Sequence, residues 1–342
     1  MKKRIVLLLS ILSTITVFLI VIGLLFDRTE LEKQHGLTEV YDVSSDGTIA
    51  YVAFNEGEPG IYIKESTSFN RAVVLDNTKV INDISFSPSG NVLSYVVTDK
   101  QIEDELHSTV FTLNMDTLEV KEVFHDPSLI TEIMFDPKNE QTLFYLRAGT
   151  FENYSPIASA RPHNVDVFSY DLEEQKRTRH TNENSYSMNS LHVSSSEEAV
   201  FVQFFDEADD DTAEDIFANK QRVFKIPLNE PESIAVVSNM DREADIYDFT
   251  IVPNKQEMIY QSISNMHEGG TYEYELYHFN WETGEEKQLT HLKQYTSRPR
   301  LTTDSQTIYF MVDKQFAQGD PDYYLYQMDY RGKNIKEMDL SF

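Results

Sequence analysis

A short pattern of apolar and polar positions recurs along most of this chain. It is clearest at residues 80–96, VINDISFSPSGNVLSYV. An apolar alternation reads as a strand, Ser87-Pro88-Ser89-Gly90 as a tight turn, and NVLSYVV as a second strand. Pro presets φ for such a turn, and Gly, Asn or Asp accept left-handed geometry. The same pattern begins at Val43, Phe86, Phe135, Val193, Ile251 and Leu301, at spacings of 43, 49, 58, 58 and 50 residues. Each turn leads into a β-rich run: TIAYVAF, NVLSYVV, QTLFYLR, AVFVQFF, EMIYQSI and TIYFMVD.

Two more strands are predicted in each unit. The third alternates aromatic and aliphatic residues (GIYIKE, TVFTLNM, DVFSYDL, RVFKIPL, ELYHFNW, YLYQMDY). The fourth is amphipathic and increasingly charged (RAVVLD, EVKEVF, QKRTRH, SIAVVS, EKQLTH, NIKEMDL). Charge on that strand suits an outer sheet edge facing water, where Lys and Glu discourage edge pairing. A unit of roughly 40–50 residues is the length of a four-stranded propeller blade, and no such unit buries both faces alone. The reading is therefore all-β: a six-bladed β-propeller of four-stranded blades, over residues 38–78, 79–127, 128–184, 185–240, 241–292 and 293–342. The single Trp, Trp281, is read as a turn-capping aromatic.

FSPSGNVLSYV followed by VFTLNMDT resembles the repeats of TolB-type proteins, and is similar to the propeller of prolyl oligopeptidase-like enzymes. The second unit carries the resemblance best, the third next, the last three loosely. The resemblance implies the propeller fold and protein interaction at a cell envelope. TolB-type proteins carry a further N-terminal domain before the propeller, which this sequence does not show, and fold alone does not fix activity.

The N-terminus breaks the β pattern. Residues 5–26 hold 22 residues without a charge, behind Met1-Lys2-Lys3-Arg4. As a helix this run spans roughly a 30 Å hydrocarbon core, and it ends without the small-residue pattern of a cleavage site. It reads as an uncleaved, single-pass signal anchor in the cell membrane. Residues 1–4 form a cytoplasmic stub, 27–37 a polar linker, and 38–342 an extracytoplasmic propeller. A cleaved export signal is the alternative.

Charge sharpens this picture. Beyond residue 26 the chain holds 26 basic against 57 acidic residues. Such a surface repels nucleic acid and anionic lipid and favours a basic protein or envelope partner. The segments read as second-to-third-strand loops, 55–60, 98–108, 148–164, 205–221, 264–273 and 313–322, carry net charges of −2, −3, 0, −6, −2 and −2. These loops share one face of the ring, which is the expected working surface. The linker joins that face, and eleven extended residues reach ~36 Å, enough to let the propeller swing.

Candidate chemistry is sparse. There is no Cys, hence no disulfide framework or thiolate metal site. No His-Glu-x-x-His and no Gly-x-Ser-x-Gly is present. The acidic run at 206–215 reads first as a solvated loop capping a short helix through Thr212 and Asp215 or Asp211 and Glu214; it also offers oxygen ligands of the kind that hold Ca²⁺, without EF-hand spacing. The neutral 148–164 segment reads first as a loop folded back over the channel mouth; it also carries Phe151, Tyr154, Arg161 and His163, residue types that anchor protein interfaces. The leading reading is a binding scaffold with no cofactor, rather than an enzyme. The alternatives are a carbohydrate-active or other hydrolase or lyase propeller with a site at its axis, and a calcium-dependent binding module. Perturbed carboxylates or a His cluster at the axis would favour the enzyme.

Overall fold

The computed structural model describes residues 2–26, 29–65, 68–102, 105–153, 160–194, 196–205, 219–302 and 304–340. An N-terminal helix α1 (Lys2–Phe26) is followed by a one-turn helix α2 (Glu30–Lys33). Among the described residues, all remaining regular structure is β.

The first sheet holds β1 (Gly36–Val43), β2 (Ile49–Asn55), β3 (Glu58–Lys64) and β4 (Phe69–Val74). The second holds β5 (Lys79–Phe86), β6 (Val92–Asp99), β7 (Ser108–Asn114) and β8 (Val120–Asp126). The third holds β9 (Leu129–Asp136), β10 (Asn139–Glu152), β11 (Arg161–Asp171) and β12 (Lys176–Arg179). The fourth holds β13 (Asn189–Ser194), β14 (Ala199–Phe205), β15 (Gln221–Pro227) and β16 (Ala235–Val236). Two further quartets follow: β17 (Ile246–Ile251), β18 (Glu257–Ile263), β19 (Tyr274–Asn280) and β20 (Glu286–Gln288), then β21 (Tyr295–Leu301), β22 (Thr307–Asp313), β23 (Tyr323–Asp329) and β24 (Lys336–Glu337). One parallel pair, Tyr274 opposite Tyr295, joins these last two into a single eight-stranded sheet. Within every quartet the strands run antiparallel in sequence order.

The middle strands are the most buried, and their apolar runs fill the space between neighbouring sheets. Each cluster joins one sheet to the next: Val52 and Ile61 to Ile84 and Leu93, for example, and Val96 and Val110 to Ile133 and Tyr145. The last of these packs Tyr41, Tyr51 and Tyr62 of the first sheet against Tyr309, Met311 and Leu325 of the final quartet. Each such side chain contributes about 1.5–3 kcal/mol when fully buried. The first strands are neighbours in the same cyclic order, from β1 to β5, β9, β13, β17 and β21 and back to β1. Outer strands are short, and β12 is exposed throughout its Lys-Arg-Thr-Arg sequence, which blunts the free edge. An aromatic pair recurs directly across the second and third strands: Tyr51–Tyr62, Tyr95–Phe111, Tyr145–Phe168, Tyr260–Tyr277 and Phe310–Tyr326. The fourth sheet sets Lys225 opposite Phe201 instead. Trp281 sits in the β19–β20 turn and packs against Phe201, as read.

Three local expectations are corrected. Residues 55–60 are a two-residue hairpin at Glu56-Gly57, both with positive φ (52° and 84°), not a loop. Residues 148–152 and 161–164 continue β10 and β11 as a ladder from Ala148↔Val165 to Glu152↔Arg161, because a long hairpin pairs its own backbone groups. The linker contains α2, closed by a capping box in which Thr29 and Glu32 exchange hydrogen bonds. Strand β1 also begins at Gly36, two residues before the expected boundary.

Candidate ligand site at the axis

The inner strands pose a physical problem that builds the site. Each is a sheet edge, so half its N–H groups lack a strand partner, and burying them unpaired costs about 1–3 kcal/mol apiece. Side chains of the preceding sheet supply the acceptors. Asp42 takes the Phe86 N–H at 2.7 Å, and Asp83 that of Ile133 at 2.9 Å. Ser85 Oγ takes Phe135 N–H at 3.2 Å. Glu132 takes two, from Ser190 at 2.7 Å and Leu191 at 2.6 Å. The Met134 sulfur accepts from Val193 at 3.4 Å, and Asp248 accepts from Arg298 at 2.9 Å. The last quartet meets the first where the Tyr41 hydroxyl donates to the Arg298 carbonyl at 2.5 Å.

The backbone is shaped for this belt. Every inner strand carries a register break, as between Ile81 and Asp83, Asn189 and His192, or Ser297 and Arg300. Such bulges re-aim side chains and increase local twist. Ser190 and Arg298 occupy left-handed geometry at two of them (φ 57° and 51°). Counting back from each tight turn gives two rings of equivalent positions. One is Val40, Asp83, Glu132, Ser190, Asp248 and Arg298; the other is Asp42, Ser85, Met134, His192, Thr250 and Arg300.

The first ring holds the densest charge. Arg298 lies 3.8 Å from Asp248 and 3.9 Å from Glu39. Burial works against its charge, but Asp248, Glu39, Glu132 and Asp83 together hold it firmly cationic. Burial raises the Asp83 carboxyl to about 7, with Glu132 adding to the rise and Arg298 and Arg300 opposing it. Glu39 is also raised by burial, against the pull of Arg298.

The second ring lines a cavity of about 390 Å³ that opens between the tight turns. Asp42, Ser85, His192, Thr250 and Arg300 stand in its wall with Asp83, and Ser44, Ser87, Ser194 and Asn254 at its rim. Burial lifts the Asp42 carboxyl. Burial, and then Arg300, push the His192 imidazole well below its usual range, so the ring is neutral. Arg300 Nη1 donates to His192 Nε2 at 3.4 Å and to its own strand at Pro299 O, 3.3 Å.

The opposite end of the axis is aromatic. Tyr274 meets Tyr247 at 5.3 Å, Tyr295 at 4.8 Å and Phe316 at 5.3 Å, and Phe316 stacks on Tyr295 at 4.6 Å. Burial raises the phenols of Tyr247, Tyr295 and Tyr323, and Glu39 adds to the rise at the latter two.

Of the residues singled out from the sequence, Phe151, Arg161 and His163 lie elsewhere, on the β10–β11 arm. Phe151 is half-buried against the core shared by the third and fourth sheets. Arg161 is exposed. His163 is buried, stacked on Tyr186 at 4.3 Å, with Nε2 3.0 Å from the Glu152 carbonyl. Tyr154 and the 206–215 acidic run lie outside the described residues. Among the described residues no group of three or more His, Asp or Glu side chains is placed to hold a metal ion. The axial residues were not singled out, although a signal existed: apart from Val40 and Met134, the positions two and four places before each turn are polar, in strands that are otherwise apolar.

No protein-family model matches the chain, and no curated protein is similar to it in sequence. Solved structures are similar in fold. TolB from Acinetobacter baumannii shares 13% identity at a TM-score of 0.58, over 85% of this chain and 63% of that one. A prolyl endopeptidase shares 13% at 0.56, over 90% of this chain and 50% of that one. An oligogalacturonate lyase in complex with manganese shares 11% at 0.54, over 87% and 78%. The chain thus spans under two thirds of the length of the first two. At these identities the likeness concerns the fold alone: the chain has a TolB-like β-propeller fold.

Proposed function

We propose that this chain is a membrane-anchored binding scaffold: a six-bladed propeller held at the outer side of a cell membrane, offering its surfaces to a protein or envelope partner. The observation that carries the reading is the way α1 meets the sheets. Its apolar stretch Arg4–Gly23 is long enough to cross a membrane and is unburied by the rest of the chain. Only residues 27 and 28 separate it from the Thr29 cap of α2, a reach of about 11 Å from Phe26 to Thr29. Helix α2 is fastened to the first sheet. Gly57 N–H donates to the Gln34 carbonyl at 2.9 Å, and a Cβ on Gly57 would stand 2.2 Å from Leu31 O. The tether is therefore a clamp rather than a swinging arm. It sets the β2–β3 hairpin end of the ring toward the membrane and leaves the turn-end cavity facing away.

The basic Lys2-Lys3-Arg4 flank supports an outward orientation, and the acidic ectodomain supports a basic partner. Docking is assigned to the β10–β11 arm through Phe151 and Arg161, with Tyr154 retained from the sequence; His163 is buried and braces the arm rather than meeting the partner. Catalysis by the axial carboxylates is disfavoured, because Asp42, Asp83, Glu132 and Asp248 already accept backbone N–H groups. The chain lacks Cys, which makes the test direct. Single variants Ser89→Cys (turn end) and Gln315→Cys (hairpin end), both at exposed positions, are treated in intact cells with a membrane-impermeant maleimide. Both are expected to label, and Gln315→Cys alone to crosslink to a lipid-borne maleimide. Labelling only after permeabilisation would sink the outward orientation. A partner crosslinked to wild type and lost in Phe151→Ala/Arg161→Ala would identify the docking arm.

A further inference from the structure

Arg300 is the axial residue that the belt of backbone acceptors leaves unexplained. Its guanidinium faces the turn-end cavity, and among the described residues no carboxylate forms an ion pair with it. Its ring equivalents Asp42, Ser85 and Met134 each accept a backbone N–H of the next sheet. Arg300, which has only donors, cannot.

We propose that this cavity binds a small polar carboxylate, received by the Arg300 guanidinium in its wall. A guanidinium keeps its charge at any relevant pH and presents a planar fork that matches a carboxylate with two parallel hydrogen bonds. Both contacts, to neutral His192 and to Pro299 O, are made by Nη1 and leave the other donors of that fork for a ligand. The two carboxyls nearby do not fill the role. Asp42 and Asp83 each spend one oxygen on a neighbouring strand, and burial biases both toward the uncharged acid. The hydroxyls of Ser44, Ser87, Ser194 and Thr250 supply polar contacts for the rest of a hydroxylated ligand. About 390 Å³ falls within the roughly 300–1,000 Å³ of small-molecule pockets. The proposal is independent of the membrane assignment, since it concerns a cavity inside the ring.

The test is calorimetric titration of the full chain in detergent, with D-galacturonate as probe, neutral D-galactose as its uncharged counterpart, and acetate and inorganic phosphate as minimal anions. Galacturonate is expected to bind about tenfold or more tightly than galactose, as charge-assisted hydrogen bonds require. Arg300→Met should erase that preference, and Arg300→Lys should keep part of it. Ser194→Phe, which narrows the rim without altering Arg300, should weaken galacturonate binding as strongly. Equal affinity for galactose and galacturonate overturns the proposal. So does failure of both galacturonate and acetate to bind, or phosphate binding as tightly as galacturonate. Should Arg300→Met fail to fold, the rim variant decides: galacturonate binding unaffected by Ser194→Phe places the anion elsewhere and overturns the proposal.

Discussion

The two ends of the axis use the same repeat for different purposes. At the turn end, short first-to-second-strand turns leave an open cavity with hydroxyl walls, His192 and Arg300. At the hairpin end, longer connections bring in Phe316 and Tyr323, and aromatic rings crowd around Glu39 and Arg298. Between them lies the belt in which Asp83, Glu132 and Asp248 hold the N–H groups of the next sheet. The contrast teaches that buried charge at a symmetric axis is not by itself a reaction centre. Where a carboxylate faces an unpaired strand edge, it works as a structural acceptor. Only where the turn leaves space, and the ring position carries a donor instead, does the same geometry leave something for a ligand to satisfy.

Four changes would break or sharpen this contrast. Glu132→Ala has the largest expected effect, since it strands two buried N–H donors at about 1–3 kcal/mol each. Urea unfolding of the detergent-solubilised chain should show a loss of about 2–5 kcal/mol, and a loss under 1 kcal/mol would mean that water replaces the belt.

The pH dependence of stability comes next. The folded Asp83 carboxyl sits at about 7 against an ordinary 3.8, so between those values the folded state binds more protons than the unfolded one. Its contribution is full below about pH 4 and lost as pH rises through about 7. Asp83→Asn should flatten that part of the curve. Melting temperatures of the two proteins that stay parallel from pH 4 to 8 would refute the assignment.

At the hairpin end, Phe316→Ala removes ring contacts to Tyr274 and Tyr295, with an expected cost of about 1–2 kcal/mol. It should leave galacturonate binding at the far end unchanged; a matching loss of binding would show that the ends are coupled. The smallest effect is expected for Lys314→Ala. Its ammonium lies 2.7 Å from Glu337 and 3.5 Å from the Tyr324 ring centre, at an exposed site, so stability should fall by no more than about 1 kcal/mol.

Much of the fold was legible because its signals are local. The tight turns, the aromatic alternation and the charged outer strands follow from residues within about ten positions of one another. The β10–β11 extension and the α2 clamp were misread for the opposite reason. Polar sequences such as AGTFEN and RTELEK look like loop or linker until the partner that pairs or caps them is in place. Gly57 reads as a turn residue; nothing in GEPG says that Leu31 O will pack where its side chain would have been.

By itself the sequence determined four-stranded units, their order and the apolar helix ahead of them, since strand period, turn chemistry and hydrocarbon length are written in neighbouring residues. Only the tertiary structure decided which polar residues share the axis. Asp42, His192 and Arg300 lie in three different quartets, and their meeting depends on how sheets twist and stack rather than on any spacing along the chain. The same holds for the division between structural acceptor and open donor: it depends on whether the adjacent sheet presents a bare N–H, which is a property of the edge across the gap.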